Sequence, residues 1–139
     1  MNYWLLKTEP EDFSYADLVA NDQETWNGVR NRQAQSNIRK MAPGELAFIY
    51  HTGKVKAVVG VAEIKSVPFP DPTDQAFHAV KVSARYPLPR AVTLKEIKEA
   101  PQFAGWALVR QPRLSVMPVS LTHWQGVLDL AQTNNDSEV

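Results

Sequence analysis

A chain of 139 residues, 44% hydrophobic and 22% charged, has the size and composition of one globular domain that buries a core without covalent staples. It holds no cysteine, which excludes disulfides, thiolate metal sites and cysteine nucleophiles and fits a reducing cytoplasm, the expected compartment. Basic and acidic residues number 15 each, which argues against coating nucleic acid through bulk charge, and no stretch approaches the roughly 20 apolar residues of a membrane span.

The segment Met1 to Lys7 lacks the charged start and long apolar run of a signal peptide, and residues 2–7 read as a strand. Glu9-Pro10 ends it, because proline has no N–H to give to a ladder. Ser14 caps a short helix to Val19, with Asp17 three residues on. Asn31 caps a second helix to Met41, whose Ala34, Ile38 and Met41 share a face before Pro43-Gly44 stops it. Strands from Leu46 to Tyr50 and Ala57 to Val67 follow, joined by His51-Thr52-Gly53-Lys54. Pro68, Pro70 and Pro72 predict an irregular loop, and alternation predicts a strand from His78 to Ala84. Thr93 and Glu96 form a capping box for a helix to Ala100, and Leu114 to Met117 is a further strand. Ser120 caps a closing helix with Leu121, Trp124, Val127, Leu128 and Ala131 on one stripe. Five or six short strands with helices between them predict an α+β domain on a small barrel, and parallel βαβ winding is disfavoured by the short connections.

Charge is unevenly distributed. Residues 25–44 carry Arg30, Arg32, Arg39 and Lys40 without an acid, Gln75 to Lys95 carries Lys81, Arg85, Arg90 and Lys95, and Arg110 and Arg113 sit in a third acid-free window. These windows read equally as solvated surface or as parts of one basic face.

Catalytic signatures are missing. The glycines are scattered singly, so there is no phosphate loop, and the histidines His51, His78 and His123 lack metal-ligand spacing. No cofactor is indicated. Three constellations stand out. In Trp26-Asn27-Gly28-Val29-Arg30-Asn31 an indole leads into a glycine turn and a helix start, which either closes a core or offers a planar wall to a flat polar ligand. Phe48 and Tyr50 share one side of a strand that ends at His51. Arg110 and Arg113 flank Gln111-Pro112, as exposed strand-end cations or as a phosphate clamp.

Taken in order, Tyr3-Trp4-Leu5-Leu6-Lys7-Thr8-Glu9-Pro10, Trp26-Asn27-Gly28-Val29-Arg30-Asn31, Tyr50-His51, Val59-Gly60-Val61-Ala62-Glu63, Pro70-Asp71-Pro72-Thr73, Leu108-Val109-Arg110-Gln111 and Arg113-Leu114-Ser115-Val116 resemble the EVE domain. That family is related to the PUA, ASCH and YTH domains. The resemblance implies a PUA-like β-barrel with helices packed around it over residues 1–131, followed by a disordered tail at 132–139. It implies a reader that captures a modified base of DNA or RNA. Trp26 is then the stacking wall, and Asn27, Gly28, Val29, Arg30 and Asn31 line the pocket mouth. Lys7 and Glu9 meet the base edge, Tyr50 and His51 close another side, and Arg110, Gln111 and Arg113 hold phosphate. The family often has tyrosine at Arg32 and arginine at Gln35, and Ala84 falls where YTH domains place a second cage tryptophan.

Two alternatives accompany this reading. The related ASCH fold includes amidohydrolases that use lysine, threonine and glutamate, which Lys7, Thr8 and Glu9 supply, although neighbours on a strand alternate sides. The other is a protein-interaction module.

Overall fold

The computed structural model describes residues 1–132. In chain order it contains β1 (Tyr3–Thr8), α1 (Tyr15–Ala20), β2 (Glu24–Trp26), α2 (Arg32–Ile38), β3 (Leu46–His51), β4 (Ala57–Ile64), β5 (Phe69–Asp71), β6 (Asp74–Thr93), α3 (Leu94–Glu99), α4 (Ala107–Arg110), β7 (Val116–Val119) and α5 (Leu121–Gln132). A 3-10 turn, Pro101–Phe103, separates α3 from α4. Of the predicted tail, Gln132 closes α5 and the remainder lies outside the described residues.

The strands form one curled mixed sheet in the order β2-β6-β4-β3-β1-β7, with β5 added to β6 as a hairpin. Helices pack around it, which gives the expected α+β half-barrel. Only β1 and β3 run parallel, and the other pairs are antiparallel. Register shifts between Ile49 and Tyr50, and at two places between β4 and β6, bend the sheet on itself.

The caps work as the sequence predicts. Ser14 and Thr93 each accept from the N3 backbone while Asp17 and Glu96 reach back to the cap N–H, and Asn31 accepts from the Ala34 N–H. Ser120 Oγ accepts from the His123 N–H at 3.1 Å. Four expectations are corrected. The structure has seven strands rather than five or six. The proline-rich stretch is not wholly irregular, because Phe69–Asp71 pairs with β6. The strand predicted from His78 to Ala84 runs from Asp74 to Thr93, and its Pro87 lies opposite Gly60 beside a register shift, where a missing N–H is tolerated. The second helix stops at Ile38, after which the N–H groups of Lys40 and Met41 bond back only three residues.

The core lies between the sheet and α5. Trp124 stacks on Phe48 at 3.8 Å between ring centroids and on Tyr3 at 4.5 Å, so one helical side chain fixes α5 over β1 and β3. Trp4 is buried on the other face and donates its Nε1–H to Glu45 at 2.9 Å. Gly60 lies against the Tyr15 ring, where an added Cβ would sit 2.5 Å from ring carbons, and the Tyr15 hydroxyl donates to the Val61 carbonyl at 2.8 Å. That close approach locks α1 onto β4.

Candidate nucleic-acid interface

A cleft of about 350 Å³ opens where β1 and β2 end. One side is made by Trp26, Asn27, Gly28, Val29 and Arg30, with Glu24 and Thr25 before them; the other by Lys7, Thr8 and Ser115, with Phe13 against the indole. Trp26 ends β2 opposite Val80. The residue is 8% exposed, a cleft wall rather than an open platform, and Phe13 meets its ring edge-on at 6.1 Å and 80°.

The turn after Trp26 is built by a residue the sequence reading did not place in the site. Asp71 is fully buried and accepts from the Gly28 N–H at 2.9 Å and from Arg30 Nη1 at 3.0 Å. Its other oxygen accepts the Thr73 N–H at 2.7 Å and the Thr73 hydroxyl at 2.6 Å. Burial pushes this carboxyl up, but hydrogen bonds from the Thr73 hydroxyl, the two N–H groups and Arg30 outweigh it and hold the group well below the ordinary range. Gly28 has φ of 80°, the left-handed region that glycine enters without strain. The signal in the sequence was an aspartate between two prolines with threonine two residues on, a side-chain turn motif. Gln35, buried on α2, donates to the carbonyls of Val29 and His78 and accepts the His78 N–H, which ties the turn to β6. Phe13, Glu24 and Thr25 carried no local signal and are brought here by the fold alone, whereas Ser115 lay in a family motif without a site role.

The thirteen predicted site residues divide. Lys7 and the five residues from Trp26 to Arg30 border the cleft. Arg30 lies over Phe77 at 4.6 Å and donates to Asp71 and Thr73, so its charge is partly engaged within the protein. Asn31 caps α2 and, with Gln111 and Arg113, lines a neighbouring depression of about 270 Å³. The Lys7 ammonium donates to the Pro112 carbonyl at 2.9 Å and lies 5.4 Å from the Tyr50 ring centroid, and burial pushes its pKa down.

Tyr50, His51, Glu9 and Arg110 border neither hollow. Tyr50 is buried beside Lys7, and burial pushes its phenol up. His51 is the next residue along β3 and so faces the other side of the sheet. There its Nε2 accepts from the Tyr15 N–H at 3.0 Å, a contact that requires the neutral ring. Burial pushes the His51 pKa down, opposed by the Glu9 carboxylate. Thr8 on the same side donates to the Phe13 carbonyl at 2.6 Å. His51 and Thr8 therefore anchor the loop that sets Phe13 against Trp26. Glu9 accepts from the Glu11 N–H and from Thr52. Arg110 ends α4, a helix where strand-end cations were one reading.

Three arginines of the basic windows are held in ion pairs. Besides Arg30 with Asp71, Arg85 pairs with Glu63 at 2.6 Å and Arg90 with Glu96 at 2.7 Å. Among the described residues no cluster could hold a metal ion, and no helix is long and apolar enough to cross a membrane.

A model of the EVE domain matches residues 2–130. Mouse thymocyte nuclear protein 1 is 30% identical over 95% of this chain and 74% of its own length. The NMR structure of Rpa0253 from Rhodopseudomonas palustris is 40% identical, covers 94% of this chain and 93% of its own, and superposes with a TM-score of 0.90. A crystal structure of human THYN1 protein in complex with DNA containing 5-methylcytosine is 27% identical, covers 96% of this chain and 99% of its own, and has a TM-score of 0.91.

Proposed function

This chain belongs to the EVE domain family, and from that premise we propose that it is a nucleic-acid-binding reader that takes a modified base of DNA or RNA into the cleft beside Trp26 and does no chemistry on it. The observation that carries the reading is the cleft itself. An aromatic wall, a backbone turn fixed by a buried carboxylate and a half-buried ammonium converge on a volume at the small end of ligand sites. The human relative crystallised with DNA containing 5-methylcytosine supports a modified base as the guest and nucleic acid as the partner.

Turning a base out of a duplex costs a few kcal/mol, and stacking on an aromatic ring returns about 1–3 kcal/mol. Hydrogen bonds to the base edge make up the difference and supply the choice of base. Arg113 and Gln111, on the adjoining depression, are suited to phosphate, which adds affinity without sequence choice. An amidohydrolase reading has less support. The Thr8 hydroxyl already donates to the Phe13 carbonyl, and Glu9 is outside the cleft lining, so the required residue types do not converge.

The test is binding of Trp26→Ala and Trp26→Phe to otherwise identical oligonucleotides with and without 5-methylcytosine. The alanine variant should lose discrimination by roughly fivefold to 150-fold and the phenylalanine variant by less. A folded Trp26→Ala protein that discriminates as well as the parent removes the cleft assignment.

A further inference from the structure

A second basic surface is linked to the cleft through Thr8, which borders the cleft at the end of β1. Thr8, the last residue of β1, pairs with His51, and the Thr52 N–H donates to the Thr8 carbonyl at 3.0 Å. The chain then turns through Lys54-Val55-Lys56 into β4. The Leu94 N–H donates to the Lys56 carbonyl at 2.8 Å, which brings the start of α3 beside this loop. Lys54, Val55, Lys56, Leu94, Lys95 and Lys98 border a depression of about 630 Å³.

Two observations describe this surface. Of the acids on α3, one is engaged away from the depression and the other, Glu99, borders it. Glu96 is held by Arg90 and by the Thr93 cap, and Glu99 reaches only Lys95, at 3.5 Å with both side chains well exposed. Among the described residues no ion pair reaches Lys54, Lys56 or Lys98. The loop is also held in an unfavourable shape. Lys56 has φ of 50°, the one non-glycine in the left-handed region among the described residues, and Val55 is left 46% exposed between two lysines.

We propose that Lys54, Lys56, Lys95 and Lys98, with the apolar patch of Val55 and Leu94 between them, form a docking surface for the sugar-phosphate backbone of the nucleic acid whose modified base enters the cleft. The two chemistries are complementary. A nucleic-acid strand presents anionic phosphates and apolar sugar faces, and the depression is bordered by four lysines together with Val55 and Leu94. The surface positions the strand and carries no base choice. It also places four cations around one depression in a chain of zero net charge.

This inference rests on the reader assignment, and one experiment separates their failures. Affinities for a duplex with and without 5-methylcytosine are measured against salt for the parent, for Lys54→Ala/Lys98→Ala, and for Lys40→Ala as a lysine of another hollow. The double variant should lower both affinities equally and reduce the slope of log affinity against log salt by about 1.8, the value for two lost phosphate contacts. Preference for the modified duplex should be unchanged, and Lys40→Ala should match the parent. An unaltered slope in the double variant overturns the docking surface, even with discrimination intact, and so does an equal loss in Lys40→Ala. Absence of any modified-base preference in the parent overturns the reader assignment, while a lowered slope alongside it keeps the docking surface. No measurable binding to either duplex overturns both.

Discussion

The arrangement of Asp71 can be tested by removing one charge while keeping its shape. The carboxylate accepts four hydrogen bonds, two on each oxygen, from Gly28, Arg30 and Thr73. In Asp71→Asn one oxygen becomes an NH₂ group, which must face either the Thr73 pair or the Gly28 and Arg30 pair. At least two donors then lose their acceptor. Hydrogen bonds to a charged group contribute about 1.5–3 kcal/mol each, so the nominal loss is about 3–6 kcal/mol. The Arg30 side chain is 38% exposed and regains water, which brings the net cost to about 2–4 kcal/mol. For a domain of this length that is a fall in Tm of about 7–14 °C, read by calorimetry or circular dichroism. The sign of the pH dependence follows from the depressed carboxyl. Its stabilisation is present above the unfolded value of about 4 and is lost as pH falls toward the folded value, so the gap between parent and Asp71→Asn should narrow on acidification. Because the same carboxylate shapes the turn, the variant should also lose preference for a modified base. A cost below about 1 kcal/mol at neutral pH, with preference retained, refutes the view that Asp71 holds the turn.

Other outcomes follow from the same geometry. Gly60→Ala places a methyl group against the Tyr15 ring and should cost about 2–3 kcal/mol by chemical denaturation, with part recovered when Tyr15→Leu is added. His51 accepts a hydrogen bond only when neutral and has a lowered pKa, so the unfolded chain takes up its proton first as pH falls. The parent should therefore lose Tm between pH 7 and pH 5, and His51→Gln, which does not titrate, should lose less over that interval.

Much of the local structure was legible in the sequence because its determinants lie within three or four residues. The capping pairs Ser14 with Asp17 and Thr93 with Glu96, the stop at Pro10, and the stripe carrying Trp124 all act at that range. So did Trp26 and its glycine turn, where a left-handed residue was needed two positions after an indole. The ordered motifs carried the family and with it the α+β barrel.

What the sequence could not supply were contacts between distant segments. Asp71 is 43 residues from Gly28 and reads locally as a loop aspartate, yet it sets the shape of the cleft. Tyr50 and His51 are adjacent in the chain, but the two-residue period of a strand leaves Tyr50 beside Lys7 and turns His51 to the Tyr15 N–H. Strands β2 and β5 are three residues each, too short for alternation to declare them, and exist because β6 offers an unpaired edge. Which arginines stay free was decided in the same way. Arg30, Arg85 and Arg90 looked alike along the chain until folding placed an acid beside each. Patterns that repeat along the backbone were written in the order of the residues, whereas the cleft and its charges depend on which distant side chains the curled sheet brings within hydrogen-bonding reach.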